Sequence, residues 1–249
     1  MVFPIRDDNT GRQTTPYLTY ALIALNVLVF VFFQGLGENE RFTYAFSVVP
    51  QEIRTGDDIA RNVPVEIGGE TASIPLQPTP GSVYLTLLTS MFMHGSLMHL
   101  LGNMLFLWIF GDNIEDDLGR ARYAGFYLLT GLIASLAHVV STFVVGDNPF
   151  IPSLGASGAI SGVMGGYLVM HPHRRVTVVM LRMLTDVPGY VAVGLWFVFQ
   201  LISAFGVLGQ GPQSGGGVAF MAHIGGFIAG VVLVKLFAVG RLPPRVRAY

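Results

Sequence analysis

The sequence predicts an all-α membrane protein, a bundle of six transmembrane helices in which the fourth helix is short. Of its 249 residues, 52% are hydrophobic and only 12% are charged, whereas a soluble domain carries about 25% charged residues. The mean hydropathy is +0.59. A transmembrane helix takes roughly 20 apolar residues, and six segments come close to that length. They are residues 17–34, 96–111, 123–145, 157–170, 189–208 and 218–239.

The first segment follows a polar stretch, residues 1–16, which contains Arg6 and Arg12. No small-residue cleavage site follows the apolar run, so we interpret it as a retained helix rather than a signal peptide. A loop of about residues 35–95 comes next and contains several acidic, Pro and Gly residues. We expect this loop to be extracytoplasmic and partly structured.

The second segment contains His99 and Asn103, which are four residues apart and therefore share one helix face. A ring N–H and a side-chain amide are suitable donors for a developing oxyanion. His94 lies just before this segment. Asp112 is expected to end it, and the acidic residues that follow are expected to form a solvated helix end. These acidic residues are Asp112, Glu115, Asp116 and Asp117.

The fourth segment combines unusual geometry with reactive chemistry. Pro149 and Pro152 stop any helix before it, and at about 1.5 Å per residue it covers only about 21 to 25 Å of a hydrocarbon core roughly 30 Å thick. Ser157 would then start a helix below the outer surface, in a water-filled recess. The N–H groups at a helix N-terminus lack intrahelical partners and favour negative charge, which suits an oxyanion.

Small residues predict that the fourth and sixth segments pack closely. Gly158, Gly162 and Gly166 recur every four residues, and Gly226 and Gly230 do the same in the sixth segment. Such faces let two helices approach each other, which would bring His223 to Ser157. Gln200 in the fifth segment and Asn26 in the first are predicted to be buried hydrogen-bonding residues. The Gly-rich residues 209–217 are expected to form a mobile connection.

Basic residues orient the bundle. Placing the N-terminus in the cytoplasm puts eleven of the 14 basic residues on the inner side, which favours cytoplasmic N- and C-termini. The six helices would then occupy residues 17–240, with residues 241–249 as a cytoplasmic tail, and we expect the cell membrane to hold them. The inner basic residues are Arg6, Arg12, Arg120, Arg122, Arg174, Arg175, Arg182, Lys235, Arg241, Arg245 and Arg247.

Composition also excludes several classes of function. The formal net charge of −1 provides no basic surface for nucleic acid, and no base-reading motif is present. Cysteine is absent, which excludes a thiolate nucleophile and a Cys-type zinc site. His94 and His99 have no carboxylate or thiolate beside them on that helix. We therefore expect no metal and no cofactor.

Four short motifs occur in order along about residues 86–230. They are His94-Gly95-Ser96-Leu97-Met98-His99-Leu100-Leu101-Gly102-Asn103, Gly111-Asp112-Asn113-Ile114-Glu115-Asp116, Gly155-Ala156-Ser157-Gly158-Ala159-Ile160-Ser161-Gly162 and Ala222-His223-Ile224-Gly225-Gly226-Phe227. At these residues the chain resembles the rhomboid family of intramembrane serine proteases. The resemblance is specific because three such motifs, in order, each fall on a matching predicted helix.

The resemblance implies a function for each matching residue. Ser157 would be the nucleophile and His223 the general base, while His99, Asn103 and the Ser157 backbone N–H would form an oxyanion hole. The substrates would be other proteins in the lipid bilayer, with transmembrane segments weakened by Gly or Pro near the outer face. The residues expected to support the site are His94, Gly155 and Gly158.

The chain departs from the family pattern at two places. Leu85-Thr86 stands where many members carry Trp-Arg, and Ser161 occupies a position that is aromatic in some members. Between Asp147 and Lys235 the only acidic residue is Asp186, in a loop assigned to the cytoplasm. The sequence therefore predicts a Ser-His dyad without a carboxylate.

Two other functions remain open at this stage. A catalytically silent family member would bind and deliver client proteins, although retention of both Ser157 and His223 disfavours it. A transporter lined by histidines is the other alternative. It is disfavoured because the hydropathy pattern shows no inverted repeat.

Overall fold

A computed structural model describes residues 3–67, 70–180, 183–204 and 220–240 of the chain. Most of these residues are helical, and α1 continues into a π-helical turn at Val29–Phe33. The helices are α1 (Tyr17–Leu28), α2 (Glu40–Ala45), α3 (Pro50–Thr55), α4 (Thr86–Thr89), α5 (Leu97–Leu118), α6 (Arg120–Val145), α7 (Ser157–Met170), α8 (Gly189–Ala204) and α9 (Phe220–Ala238).

Three helices within the described residues, α5, α6 and α9, are long and apolar enough to cross a membrane. Shorter apolar helices occupy the other predicted segments, at Tyr17–Phe33, Ser157–Met170 and Gly189–Ala204. Four predicted features lie outside the described residues: the end of the fifth segment at 208, the start of the sixth at 218, the connection at 209–217 and the tail at 241–249.

The chain is not all-α as predicted, because it also contains two small β-sheets. Strands β1 (Phe3–Asp7), β4 (Arg175–Met180) and β5 (Met183–Pro188) form an antiparallel sheet in the order β1-β4-β5. Strands β2 (Asn62–Ile67) and β3 (Glu70–Pro75) form a hairpin within the first loop. Val176 and Val178 on β4 are fully buried, which is the alternation typical of a half-buried strand.

Helix α5 does not end at Asp112, and of the four acidic side chains at its end only Asp116 is partly exposed. The helix continues to Leu118, and the Asp112, Glu115 and Asp117 side chains are buried. Each has a polar partner that offsets the cost of burial: Arg12 lies 2.5 Å from Asp112, and His171 lies 2.6 Å from Asp117.

Glu115 caps a second helix rather than facing solvent. Its carboxylate accepts hydrogen bonds from the backbone N–H groups of Leu18 and Thr19, at 2.9 and 2.7 Å, and from the Thr19 hydroxyl at 2.8 Å. The first N–H groups of a helix have no intrahelical partner, and Pro16 supplies no side-chain cap to α1. A side chain of α5 therefore supplies the hydrogen-bond acceptors for the first N–H groups of α1.

The N-terminal strand is tied to the same end of the bundle. Asp7 accepts hydrogen bonds from Asn113 at 2.5 Å and from the Tyr167 hydroxyl at 3.1 Å. Burial, with the nearby Asp112 carboxylate, raises the pKa of Asp7 to about 7. The N-terminal segment, the α5–α6 turn and the β4–β5 hairpin consequently share one end of the molecule.

The first loop is partly structured, as predicted, and covers the opposite end. Val48 and Ser153 pair through two backbone hydrogen bonds of 2.9 and 2.7 Å. The Arg54 guanidinium lies over the Phe143 ring, 4.7 Å from its centroid. Thr86 is buried and donates a hydrogen bond to the Val83 carbonyl. These contacts anchor a loop that lacks the Trp-Arg pair.

Glycine lets α7 and α9 touch through their backbones, as the small-residue pattern predicts. A Cβ at Gly230 would overlap the backbone carbonyl oxygen of Gly162, and one at Gly226 would overlap that of Gly158. A Cβ at Gly165 would overlap the Phe227 carbonyl oxygen. The backbones of α7 and α9 are therefore in direct contact at these glycines, which fixes the register of the two helices. His223 lies one turn before Gly226.

Candidate active site

Ser157 and His223 meet between α7 and α9. The Ser157 Oγ and the His223 Nε2 are 2.7 Å apart, which is hydrogen-bond distance. The proximity that the sequence predicts for these two side chains is thus confirmed. The contact depends on the backbone packing of the two helices, since the residues lie 66 positions apart in the chain.

Ser157 is the first residue of α7. Gly155, two residues earlier, has a φ of +127°, a conformation that side chains rarely adopt. A Cβ at this position would also lie 2.8 Å from Cε1 and 3.0 Å from Nε2 of the His99 ring. Only glycine fits the turn that presents Ser157 beside His99.

The two predicted donors of α5 differ in where they lie. The half-buried His99 lines the cavity at Ser157, whereas Asn103, one turn further along α5, does not. The Asn103 side chain is 8% exposed, and its Nδ2 has no hydrogen-bond partner among the described residues. A buried amide donor without a partner costs about 1 to 3 kcal/mol, so an acceptor placed against this group would offset that cost.

His94 and Gly158, the other two residues expected to support the site, both line the cavity at Ser157. His94 is fully buried, and the Gln34 side-chain amide holds its backbone N–H and C=O, each at 2.9 Å. Its ring meets the His99 ring edge-on at 5.2 Å. A Cβ at Gly158 would lie 2.7 Å from the Ala134 Cβ, so Gly158 keeps α7 close to α6.

His223 has a second polar partner, on α8. Its Nδ1 lies 2.7 Å from the Oε1 of Gln200, which is 6% exposed. The predicted burial and hydrogen bonding of Gln200 are confirmed, but its link to His223 was not foreseen from the sequence. The Trp196 and Phe220 rings lie 6.1 and 6.4 Å from the His223 ring, so aromatic neighbours of His223 come from α8 and α9, while position 161 of α7 carries a serine.

A cavity of about 570 Å³ opens at Ser157. Its wall includes His138 of α6 and Glu40 of α2, an exposed acidic residue that sequence reasoning missed. No pattern within the first loop indicates that Glu40 reaches this wall. The described residues contain no group of three His, Cys, Asp or Glu side chains able to hold a metal ion.

The two acidic residues considered from the sequence lie away from this cavity. Neither Asp147 nor Asp186 lines it. Partial burial raises the pKa of Asp147, and Asp186 accepts a hydrogen bond from Thr177 on the β4–β5 hairpin. The partner of the His223 Nδ1 is thus a neutral amide rather than a carboxylate.

Taken together, these groups match the needs of acyl transfer. A hydroxyl in contact with an imidazole can be activated as a nucleophile. N–H donors near such a hydroxyl can stabilise an oxyanion, and of the two predicted side-chain donors His99 lines the cavity at Ser157.

Comparison with known proteins gives an independent result. Residues 81–239 match the Rhomboid domain family model. The chain is 28% identical over 220 residues to Rhomboid protein 1, mitochondrial, of Saccharomyces cerevisiae, which covers 86% of this chain and 51% of that protein. It is 36% identical over 103 residues to the Presenilin-associated rhomboid-like protein, mitochondrial, of Homo sapiens, covering 41% and 27%.

The chain is also similar to part of a plant protein. The chain is 34% identical over 154 residues to RHOMBOID-like protein 4 of Arabidopsis thaliana, which covers 59% of this chain and 32% of that protein. The chain spans about half the length, or less, of these curated relatives. The family model, in contrast, matches well over half of this chain and includes Ser157 and His223. This protein is an integral membrane protein that belongs to the rhomboid family.

Proposed function

We propose that this protein is an intramembrane serine endopeptidase that hydrolyses peptide bonds in or near transmembrane segments of other membrane proteins. The observation that carries the proposal is the 2.7 Å contact between the Ser157 Oγ and the His223 Nε2 at the start of α7. Membership of the rhomboid family supports the same activity.

In the proposed reaction, His223 takes the hydroxyl proton as Ser157 attacks the scissile carbonyl carbon. The imidazolium then gives this proton to the leaving amine, and an acyl-enzyme remains on the Ser157 Oγ. A water molecule, activated by the same imidazole, hydrolyses the ester and restores the hydroxyl. Each step uses only the Ser157-His223 dyad for proton transfer.

The proposed oxyanion hole consists of the Ser157 backbone N–H, His99 and Asn103. The backbone N–H is at a helix N-terminus, where it has no intrahelical partner and where the helix dipole favours negative charge. Asn103 adds a buried amide whose Nδ2 has no partner within the described part of the chain.

We expect Asn103→Ala to lower kcat by about 100-fold. Loss of one oxyanion-hole donor costs about 10²- to 10³-fold, and the smaller end applies because His99 and a backbone N–H remain. Purified protein assayed in detergent gives kcat and KM separately. Asn26→Ala is the matched control, since Asn26 is a buried amide on α1 that bonds to the Leu22 carbonyl. Equal losses in the two variants would exclude a specific role for Asn103.

The proposed bundle has six transmembrane helices within residues 17–240, with α7 starting below the outer surface and the first loop, residues 35–95, outside. We place residues 1–16 and 241–249 in the cytoplasm and the bundle in the cell membrane, because most basic residues fall on one side. The chain has no cysteine, so single cysteines at Asp8 and Asp57 provide the test. Labelling of both by an impermeant maleimide from one side of the membrane would refute this topology.

The substrate must unwind before its carbonyl reaches Ser157. We therefore expect purified enzyme to cleave a single-span protein whose segment contains Gly or Pro near the outer face at least about tenfold faster than one with a uniformly Leu-rich segment. Gly and Pro each weaken a helix interior, by about 1 and 3 kcal/mol relative to Ala. Equal cleavage of both substrates would contradict this account of the recess.

A fluorophosphonate probe separates this enzyme from a silent, client-binding member of the family. The probe modifies an activated serine, so labelling of Ser157 together with substrate cleavage is expected. A folded protein that binds single-span proteins, yet neither reacts with the probe nor cleaves them, would replace the protease by the client-binding function.

A further inference from the structure

We infer that Gln200 is a positioning residue that selects the tautomer of His223 required for the proposed proteolysis, in the place where a serine-protease triad has a carboxylate. The inference rests on the proposed function. It adds Gln200, a residue of α8, to a site whose other proposed residues lie on α5, α7 and α9.

The first step is the direction of the hydrogen bond. The Gln200 Oε1 lies 2.7 Å from the His223 Nδ1. An amide oxygen only accepts, so with the Oε1 of Gln200 facing the ring the proton lies on Nδ1. A neutral imidazole with its proton on Nδ1 has a free lone pair on Nε2. That lone pair faces the Ser157 Oγ at 2.7 Å, as a general base requires.

The second step is that no carboxylate acts on His223: Glu40 of α2 lines the same cavity but is not among the titratable groups that act on this imidazole. The titratable groups that act on His223 are His99 of α5 and His138 of α6. Helices α7 and α8 contain no Asp, Glu, Lys or Arg, and the only such residue of α9 is Lys235, about three turns from His223. A neutral acceptor is therefore what holds the Nδ1 proton.

The third step is the rigidity of the acceptor. Gln200 is 6% exposed, and it lies one turn after Trp196, whose ring is 6.1 Å from the His223 ring. One face of α8 thus supplies both an aromatic neighbour and a hydrogen-bond acceptor to the same imidazole. If the buried amide lost this hydrogen bond, no water molecule would take the place of His223, and the unsatisfied group would cost free energy.

The test uses full-length protein in detergent with a cleavable single-span substrate. Gln200→Met keeps a linear side chain but has no strong acceptor. We expect kcat to fall about tenfold, which is about 1.4 kcal/mol of barrier, with KM within twofold of the parent. Gln200→Glu restores an oxygen acceptor. It should recover kcat to within threefold of the parent and place the acid limb of its kcat–pH profile at higher pH than in Gln200→Met, because an acidic partner favours the imidazolium.

Ser203→Ala is the matched control. Ser203 lies on the same helix, is 1% exposed, and its Oγ has no partner among the described residues. We expect its kcat to remain within twofold of the parent. A tenfold loss in this control would show that any buried change in α8 impairs the enzyme and would overturn the positioning function.

The outcomes separate the two proposals. A parental kcat in Gln200→Met, or no recovery in Gln200→Glu, overturns the positioning function while the parent enzyme still cleaves substrate. If Gln200→Met does not fold, Gln200→Glu decides alone, and an acid limb that does not move from that of the parent overturns the inference. A folded parent that neither cleaves substrate nor reacts with a fluorophosphonate probe overturns both proposals.

Discussion

Replacing Ser157 with alanine is expected to abolish cleavage and to leave the protein folded. The variant removes one oxygen, whose hydrogen bond is to the His223 Nε2. Without it no acyl-enzyme forms, and only binding and the oxyanion hole remain to assist water. Loss of the nucleophile in serine proteases costs up to about 10⁶-fold in kcat, and we expect at least about 10³-fold here, or about 4 kcal/mol of barrier.

Ser161→Ala is the matched control for this result. Ser161 lies one turn after Ser157 on α7, is 1% exposed, and donates a 2.6 Å hydrogen bond to the Ser157 carbonyl. Its removal should cost about 0.5 to 1.5 kcal/mol of stability and keep kcat within tenfold of the parent. Both variants are assayed with the same single-span substrate after thermal unfolding confirms that each is folded. Residual activity of Ser157→Ala within tenfold of the parent would exclude Ser157 as the nucleophile.

The sequence predicts the contact between Ser157 and His223 because this contact depends on patterns that can be recognised within each helix. Repeated glycines in the fourth and sixth segments predict a close approach of two helices, and that approach brings Ser157 to His223. The Gln200 contact could not be predicted in the same way. A polar residue in an apolar segment indicates function, but its partner depends on how α8 packs against α9, and no motif in the fifth segment specifies that register.

The acidic end of α5 shows where sequence patterns mislead. A run of four carboxylates indicates a solvated surface, since such residues are rarely buried without partners. Here the partners come from elsewhere in the chain: Arg12 for Asp112, the start of α1 for Glu115 and His171 for Asp117. The N-terminal strand was missed for a similar reason, because its pairing strand, β4, lies about 170 residues away in sequence.

We expect Gly230→Leu to lower the free energy of unfolding by more than the loss of any single hydrogen bond would. Even a Cβ at this position would overlap the Gly162 carbonyl oxygen, so α9 cannot remain against α7. Overpacking typically costs about 1 to 3 kcal/mol and occasionally more. Here the obstacle is backbone, which cannot change rotamer to make room. We therefore expect either failure to fold or an unfolding temperature far below that of the parent.

Activity should be lost even in the fraction of Gly230→Leu that folds. His223 lies two turns before Gly230 on the same helix, so separation of α9 from α7 lengthens the distance between the His223 Nε2 and the Ser157 Oγ. A misplacement of about 1 Å costs about 10²-fold in rate. Gly194→Ala on α8 is the control, since nothing lies within 4 Å of a Cβ there, and we expect parental activity with equal or higher stability. Thermal unfolding, substrate cleavage and fluorophosphonate labelling are measured for both. A Gly230→Leu protein that unfolds and cleaves like the parent would show that α7 and α9 do not pack through their backbones, and the geometry of the dyad would then need another explanation.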